Sequence, residues 1–432
     1  MLRDELFEAI SELPVIDVHS HINRDHMQAT GLDQVMFYHM QMYPSRAAGT
    51  PEDRMWPEQR NIAAGLPYEE FLRAWPKTKH SGFGWMLRTI LRDLYGFEKE
   101  LTVETLPELR EVVDARRTDA DWPKQVFEKC NLSRLCSSVL DVAPLEPDAW
   151  QPPISFTVED APSSGKQDFL NWKRRLAEIG RLIGRVCANV DDLREATATF
   201  YDRYDRHIAD GGVVVSWLGG EADLTPASDA TVNRAIAEVR DGGDETPERR
   251  RLLEAAYTRA ICDAIRGRAR VFQFCYGTQY VTRSPLHSHP IAKAAPQFAQ
   301  TFPYLLGEYP DLHFNLLNGF EPDEPVWSAM VQGYGNISLA NFWWQCFYPT
   351  VMHRGWARRL DMVPLSRLIG FFSDGWCVDY VYGRLTMVRR TLANVLAERI
   401  ERGYADRQDA LEVARTILFD TPHEIFLPDA DI

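Results

Sequence analysis

The sequence predicts an α/β protein folded as a (β/α)8 barrel, and two observations support this fold class. Eight short apolar runs, rich in β-branched and aromatic residues, alternate along the chain with segments of helical spacing. None of these runs is followed by a Gly-x-Gly-x-x-Gly or P-loop turn, so a doubly wound nucleotide-binding sheet is disfavoured. A chain of 432 residues suits one such barrel, and we expect a single domain over residues 1–432.

The predicted strands are short and apolar, as buried parallel strands are. The first, Val15 to His19, follows Pro14, which ends an amphipathic N-terminal helix. The other predicted strands are, in order, 135–140, 154–158, 213–218, 271–275, 312–316, 337–344 and 368–373. After the last of them a helix is predicted, because apolar residues recur mostly every three or four positions at Leu385, Val388, Leu392, Val395 and Ile400.

The gap between the first two predicted strands is far longer than one crossover helix requires. Residues from about 25 to 130 therefore predict a mainly helical insertion, rich in Tyr, Trp, Met and Pro. This insertion follows the C-terminal end of the first strand, where barrel enzymes place their active sites.

The charge balance narrows the range of partners. The chain carries 48 Lys and Arg against 62 Asp and Glu, a net charge of −14 with histidine neutral. Without a compensating basic stripe, such a surface repels phosphate backbones and anionic lipid, so we expect no nucleic acid and no membrane as partner. No apolar run approaches the ~18 residues that span a bilayer.

Seven cysteines form an odd number without a Cys-x-x-Cys pair. This usage argues against a disulfide framework and suits a reducing compartment. We therefore expect a cytoplasmic protein that acts on a small molecule.

A candidate metal site begins with His19 and His21, which end the first predicted strand. Residues two apart on a strand face the same way, so both imidazoles can bind one cation. Asp374, at the end of the eighth predicted strand, is the third candidate ligand, because that strand neighbours the first in a closed barrel. Alone, Asp374 would be read as a helix N-cap; beside two histidines, the ligand is favoured. A second His-x-His pair, His287 and His289, is interpreted as part of a Pro-rich loop.

Several motifs together resemble the uronate isomerases of the amidohydrolase superfamily. They are PVIDVHSHI at the first strand, Phe37-Tyr38-His39-Met40, LRTILRDLYGF in the insertion, LANFWW on the seventh strand and SRLIGFFSDGW on the eighth. The resemblance covers most of the chain. It implies an enzyme that interconverts aldose and ketose sugar acids, such as glucuronate and fructuronate, by proton transfer between C1 and C2.

By this resemblance, His19, His21 and Asp374 hold one divalent metal ion, most simply zinc, and Asp374 also shuttles a proton. Dinuclear members of the superfamily add ligands on strands four to six. Here those strands end in Ser216-Trp217-Leu218, Cys275 and Leu316-Leu317-Asn318, and His313 lies at the wrong end of its strand. A single metal is therefore expected, with Cys275 either a soft fourth ligand or an inert buried thiol.

The resemblance also implies roles for residues around the metal. Tyr38 would act as an acid near the sugar oxygens, and His39 as a polarising donor. Trp343 or Trp344 would form a wall of the pocket, although packing inside the barrel explains one of the two equally well.

Two departures from the family concern the substrate carboxylate. Uronate isomerases usually carry Asp-x-Arg after strand eight, where this chain has Trp376, and an Arg after strand three, where it has Val158 and Glu159. A guanidinium is the natural partner of a carboxylate, whereas an indole can only stack on a sugar face. Either the substrate is not a simple uronate, or another cation binds it; the candidates by loop position are Arg46, Arg283 and Arg354.

Three hypotheses follow. The first is a uronate-isomerase-like sugar isomerase with one divalent metal. The second is a mononuclear hydrolase or decarboxylase of the amidohydrolase type that acts on a different small molecule. The third, a catalytically silent binding protein, is disfavoured because the three candidate ligands are retained. Barrels of this kind often associate, so a homo-oligomer is expected.

Overall fold

The computed structural model describes residues 1–23, 27–37, 48, 68–138, 150, 152–159, 171–205, 213–219, 223–284, 287–292 and 295–428. Within this part the chain is a mixed α/β protein in which parallel strands alternate with helices. The strands are β1 (Val15–Ser20), β2 (Leu132–Ser137), β3 (Ile154–Phe156), β4 (Val158–Glu159), β5 (Val213–Gly219), β6 (Val271–Tyr276), β7 (Thr278–Ser284), β8 (His287–Ala292), β9 (His313–Asn318) and β10 (Ile337–Phe342).

The α-helices surround these strands in sequence. Before β2 they are α1 (Leu2–Ser11), α2 (Leu32–Met36), α3 (Tyr68–Thr78), α4 (Gly82–Tyr95), α5 (Leu106–Arg117) and α6 (Trp122–Cys130). Between β4 and β10 they are α7 (Trp172–Ile183), α8 (Val190–Arg203), α9 (Asp229–Arg240), α10 (Pro247–Ile265), α11 (Pro296–Glu308) and α12 (Glu324–Gly333). After β10 they are α13 (Pro349–Met362), α14 (Val378–Glu401), α15 (Arg407–Arg415) and α16 (Thr421–Phe426).

Parallel pairing joins the strands into two groups, β1–β2–β3 and β10–β9–β6–β5–β4. Only Thr157 separates β3 from β4 in the chain, and its backbone N–H donates to Ser137 O at 2.7 Å. The predicted third strand is therefore interrupted at Thr157, and its two parts pair with different neighbours.

Residues 368–374, which we call the eighth segment, lie between β10 and β1. Leu368 bridges Leu339 of β10 in parallel, and the Asp374 N–H donates to His19 O of β1 at 2.9 Å. The predicted eighth strand is thus an extended segment rather than a regular strand. Other partners take its N–H groups, as for Gly370, which donates to Ile417 O, and Ser373, which donates to an Asp17 carboxylate oxygen.

The seventh strand ends earlier than predicted. Trp343 and Trp344 follow β10 instead of ending it, and Trp344 starts a short 3-10 helix, Trp344–Cys346, with φ of 44°. A bulky residue at positive φ is a strained conformation that its surroundings must hold in place. The second strand is also shifted, beginning at Leu132, while the predicted positions 139 and 140 lie outside the described residues.

The interpretation of the second His-x-His pair as a loop is wrong. His287 and His289 belong to β8, which pairs antiparallel with β7 in a hairpin directly after β6. The two strands are consecutive in the chain, joined by residues 285 and 286, and their pairing satisfies backbone groups that a loop would leave to solvent. Pro290 is tolerated at the edge of such a hairpin.

The long helix after the eighth segment confirms the predicted apolar periodicity. Leu385, Val388, Leu392 and Val395 are buried along one face of α14, which packs against α1, α4 and α13. The described residues between β1 and β2 are largely helical. A buried carboxylate of α14 forms hydrogen bonds with several of them.

That carboxylate belongs to Asp379. It accepts hydrogen bonds from Tyr95 Oη at 2.5 Å, Trp122 Nε1 at 3.3 Å and Ala29 N at 3.3 Å. Burial raises the pKa of Asp379, while the Tyr95 and Trp122 hydrogen bonds oppose the rise. Helices α4 and α6 are thereby tied to the helix that follows the eighth segment.

None of the helices in the described ranges has the length and apolar character needed to cross a bilayer. All seven cysteines are buried free thiols.

Candidate metal centre

His19 and His21 meet Asp374 where β1 adjoins the eighth segment. The Nε2 atom of His21 lies 3.1 Å from Asp374 Oδ1, and Nε2 of His19 lies 3.6 Å from the same oxygen. All three side chains are buried, and their candidate ligand atoms lie within 4.8 Å of one another. The three residues that the sequence nominated as ligands are therefore brought together.

The backbone holds this junction in register. Asp374 N–H donates to His19 O at 2.9 Å, and His21 N–H donates to Gly375 O at 2.8 Å. Asp374 has φ of 50°, a left-handed conformation that Asp adopts more readily than most residues. This backbone turn directs the carboxylate toward both imidazoles.

The donor set fits a divalent cation. Two ligands at metal–ligand distances of 2.0–2.1 Å in tetrahedral geometry lie about 3.3 Å apart, between the two nitrogen–oxygen distances observed. His19 Nε2 is buried and makes no hydrogen bond among the described residues, since 3.6 Å is too long for one. A buried nitrogen aimed at a carboxylate and a second imidazole is the arrangement of an N2O metal site.

Gln273 on β6 sets the tautomer of His19. Gln273 Nε2 donates to Val18 O at 3.3 Å, and because a carbonyl can only accept, the amide nitrogen must face it. Gln273 Oε1 therefore faces His19 Nδ1 at 2.8 Å and accepts its proton. This leaves the lone pair on His19 Nε2, the nitrogen that faces Asp374.

The hydrogen bonds continue across the neighbouring strands. Gln273 Nε2 also donates to Asn315 Oδ1 at 3.0 Å, and Asn315 Nδ2 donates to Ser338 Oγ at 2.8 Å. Ser338 Oγ lies 2.9 Å from His313 Nε2. We call Gln273, Asn315 and Ser338 the polar relay. It runs from the candidate ligand His19 across the interior faces of β6, β9 and β10.

His21 is held differently from His19. Its Nδ1 lies 2.8 Å from Ser138 Oγ, which also donates to Ser20 O at 3.3 Å. The Trp376 ring stacks on the imidazole with centroids 4.9 Å apart and planes 22° apart. Trp376 thus covers one candidate ligand while 39% of its own surface remains exposed.

The electrostatics favour an ionised Asp374. Burial would raise its pKa, but interactions with His19 and His21 and the nearby charge of Arg384 hold the pKa well below its usual value. The buried Arg384 Nη1 lies 3.4 Å from Asp374 Oδ2. Asp17 behaves in the opposite way, since burial raises its pKa to about 6 despite hydrogen bonds from Ser373 and His19.

The buried His313 is expected to make the stability of the folded protein sensitive to acid. Burial, aided by the charge of Arg367, lowers the pKa of His313 from 6.5 to about 3. The unfolded chain therefore binds a proton between pH 6.5 and 3 that the folded chain does not, so stability is lost as pH falls through this window. The slope from this group is at most about 1.4 kcal/mol per pH unit.

We expect His313→Gln to reduce the loss of stability that the wild-type protein shows as pH falls. Urea denaturation of the metal-free protein at about pH 8 and about pH 5, on either side of the ordinary histidine pKa, measures it, with the wild-type chain as the reference. If both proteins lose equal free energy of unfolding between the two pH values, His313 is not the titrating group.

The two tryptophans predicted on the seventh strand lie directly after β10, at the C-terminal end of the parallel strands. Trp343 and Trp344 are buried, with ring centroids 5.6 Å apart, and Trp343 N–H donates to Asn318 O at the end of β9. This placement suits a pocket wall as well as packing.

The described part of the structure does not place the other predicted site residues at the candidate metal centre. Tyr38, His39 and Arg46 lie outside the described residues, and Arg283 belongs to the part of β7 whose side chains are not described. Arg354 on α13 forms a two-point ion pair with Glu321. This pairing already satisfies the Arg354 guanidinium.

Sequence reasoning missed Gln273, Arg384 and Ser138. Gln273 could have been identified from the sequence, since it is the one polar residue in the apolar run VFQFC. Phe272 and Phe274 on either side pack outward against aromatic rings, which leaves Gln273 facing the interior. Arg384 likewise stands among apolar residues on α14, and a buried charge usually has a partner.

The described strands offer no second metal site of the dinuclear type. Among the described residues, the one group of three candidate ligands is His19, His21 and Asp374. Cys275 is buried on β6, and His313 lies at the opening residue of β9, bonded to Ser338.

Comparison with known proteins finds relatives that match nearly the whole chain. A curated uronate isomerase from Thermotoga neapolitana is 20% identical, the match covering 98% of this chain and 96% of that protein. The crystal structure of a uronate isomerase from Thermotoga maritima superposes with a TM-score of 0.82 at 16% identity, covering 99% of this chain and 97% of that one. The motif resemblance to uronate isomerases is thereby confirmed.

Further structures share the fold. A glucuronate isomerase from Caulobacter crescentus has a TM-score of 0.80 at 17% identity over 100% of this chain and 95% of its own. A putative metal-dependent hydrolase from Lactobacillus casei has a TM-score of 0.59 at 13% identity over 97% and 96%. No family model matches the sequence.

Proposed function

We propose that this chain, a relative of the uronate isomerases, interconverts aldose and ketose forms of a sugar acid of the glucuronate or galacturonate type. The observation that carries the proposal is the meeting of His19, His21 and Asp374 at the junction of β1 and the eighth segment. This geometry suits a single divalent cation, and the chain matches uronate isomerases over nearly its full length.

The reaction moves one proton from C2 to C1 of the open-chain aldose and another from the C2 hydroxyl to the C1 oxygen. A divalent cation bound by the three residues would polarise the sugar carbonyl. Asp374 is buried beside both imidazoles, and its carboxylate can accept a proton and return it during the reaction. Gln273 keeps His19 in the tautomer that binds a cation.

Residues near the metal complete the proposal. Tyr38 would donate a proton near the sugar oxygens, and His39 would polarise them by hydrogen bonding. Trp343 and Trp344 would form the wall of the pocket, and Trp376, stacked on His21, would contact a sugar face.

We further propose that the strands close into one (β/α)8 barrel, formed by a single domain of residues 1–432 with a helical insertion at about 25–130. Two contacts support closure. The interrupted strand around Thr157 joins the two parallel groups on one side. The eighth segment joins them on the other, through Leu368 to β10 and Asp374 to β1.

The finer features of the proposal are zinc as the ion, a cytoplasmic setting and a homo-oligomeric state. Two imidazoles and one carboxylate suit zinc. Seven buried free thiols suit a reducing compartment. The substrate is a small sugar acid, and neither nucleic acid nor membrane is a proposed partner.

The experiment that tests the function is proton NMR in D₂O. Purified protein of measured metal content is incubated separately with glucuronate and galacturonate. New ketose signals, with solvent deuterium at C2 of the aldose or C1 of the ketose, are expected. A metal-loaded protein that leaves both sugars unchanged would refute the isomerase proposal.

That negative result would favour the second candidate, a mononuclear hydrolase or decarboxylase. One structural neighbour described as a putative metal-dependent hydrolase supports this candidate. Asp374 would then take a proton from water and pass it to the leaving group.

Trp376 allows a direct test of the departure from the family pattern. We expect Trp376→Arg to raise kcat/KM for glucuronate or galacturonate about tenfold, mainly by lowering KM, because a guanidinium at this exposed position can pair with the carboxylate. Trp376→Phe is the control that keeps an aromatic ring without charge. If Trp376→Arg gains nothing, the carboxylate is bound elsewhere or the substrate is not a simple uronate.

A further inference from the structure

Asn341, on β10, is a buried polar side chain with no hydrogen-bond partner among the described residues. It is fully buried, and neither its amide nitrogen nor its amide oxygen bonds to any of them. A buried primary amide that forms no bond costs stability, and such groups are rare in folded proteins. The other buried amides on these strands, Gln273, Asn315 and Asn318, are all bonded.

The backbone of β10 turns Asn341 toward the interior. Ser338 faces inward, where it joins the polar relay, and Phe342 faces outward, against Trp356 of α13. Regular alternation would put residues 338 and 342 on the same face. The register of β10 against β9 is irregular between Leu339 and Phe342, and this irregularity accounts for the switch. Asn341, adjacent to the outward Phe342, therefore faces the interior.

A buried ion pair fixes that irregularity. Arg359 Nη1 donates to Ala340 O at 2.6 Å, and the same guanidinium binds both carboxylate oxygens of Glu324. The carbonyl immediately before Asn341 is thus held by a buried side chain of α13, which keeps the Asn341 backbone in one position.

Asn341 also lies on the strand that adjoins the eighth segment. Leu339, two residues earlier, pairs with Leu368 at the start of the eighth segment, and that segment ends in Asp374. Trp343, two residues later, follows the strand at the mouth. The amide therefore faces the interior on the strand that adjoins the segment ending in Asp374 and that leads directly into Trp343.

We propose that Asn341 is a substrate-binding residue whose amide hydrogen-bonds a hydroxyl group on C3, C4 or C5 of the sugar-acid chain. A hydroxyl both donates and accepts, and a primary amide offers both complements. The cost of the unbonded amide in the free protein is then recovered when substrate enters. This proposal rests on the proposed function, because it takes a polyhydroxylated acid as the ligand.

The test is Asn341→Leu, which removes the amide with little change in volume. We expect kcat/KM for glucuronate and galacturonate to fall at least about tenfold, since a substrate hydroxyl loses its partner. The thermal midpoint of the substrate-free protein should stay level or rise. Asn315→Leu is the matched control, and its midpoint should fall because it breaks existing bonds of the polar relay. Unchanged kcat/KM in Asn341→Leu, or a midpoint that falls as far as in the control, would overturn the proposal.

Deoxy substrates test the same contact without relying on the stability of one variant. Among the 3-, 4- and 5-deoxy analogues of glucuronate, one should be processed equally by the wild-type protein and by Asn341→Leu or Asn341→Ala. If every analogue is processed less well by the variants, Asn341 contacts none of these hydroxyls and the proposal fails.

Gluconate separates this proposal from the isomerase function. If the wild-type protein does not isomerise uronates, the proposed function fails, but gluconate can still occupy the metal-loaded site. We expect gluconate to raise the thermal midpoint of the wild-type protein and to raise it less in Asn341→Leu. Equal shifts in both proteins would refute the role of Asn341.

Discussion

Asp374→Asn is expected to reduce turnover of the preferred uronate at least about a thousandfold and to lower the amount of bound metal. The variant removes the carboxylate ligand and the group proposed to carry the proton, with almost no change in volume. Asn tolerates the left-handed backbone of Asp374 as well as Asp does, so the turn at φ of 50° is kept. Metal analysis and steady-state kinetics on the same preparation measure both effects.

Folding should survive this change. The amide oxygen of the substituted side chain can still accept from Arg384, although the buried guanidinium loses its negative partner and some stability is lost.

A matched control is Asp379→Asn, which alters a buried carboxylate of α14 that bonds Tyr95 and Trp122 instead of facing the histidines. It should lose stability and keep its metal. Full turnover and metal content in Asp374→Asn would refute its assigned role.

Gln273→Leu is expected to weaken metal affinity about 10- to 100-fold, the usual cost of removing a partner that orients a metal ligand. Without Gln273 Oε1, His19 Nδ1–H loses its acceptor, and the imidazole is free to rotate or to move its proton to Nε2. A proton on Nε2 removes the lone pair that binds the cation. Competition titration with a chelating dye of known affinity measures the change.

Gln273→Glu provides the comparison. A carboxylate restores the acceptor for His19 but cannot donate to Val18 O or Asn315, so metal affinity should recover more than stability does. Equal affinity in the wild-type protein and a folded Gln273→Leu variant would show that Gln273 serves packing alone.

The candidate metal ligands could be predicted from the sequence because they depend on local spacing and on the adjacency of the first and eighth strands in a barrel. His19 and His21 share a strand face through spacing alone, and Asp374 follows an apolar run. Predicting the contact between Gln273 and His19 requires knowing which strand lies across from β1 and which residues of the two strands are level with each other. A single sequence does not specify that arrangement. Asn341 depends on an irregularity in β10 that a strict period of two hides.

The differences between the predicted and the observed secondary structure have similar causes. The eighth segment is as apolar as a regular strand, yet Gly370 and Ser373 give their N–H groups to Ile417 O and an Asp17 oxygen, which hydrophobic periodicity does not reveal. The hairpin of β7 and β8 contains Pro290 and two histidines, a composition typical of a loop, and antiparallel pairing overrides it.

The candidate metal centre joins residues that are separated by 353 positions along the chain, His21 and Asp374. During synthesis, a nascent chain that ends before Asp374 has only two of the three ligands, so metal loading must follow the formation of nearly the whole fold. Such a long-range contact also forms late and slowly, because its loop-closure entropy is lost before it is compensated. Once bound, a cation at about a hundred times its Kd adds about 2.7 kcal/mol to the folded state. Metal supply would then govern how much folded protein accumulates as well as how active it is.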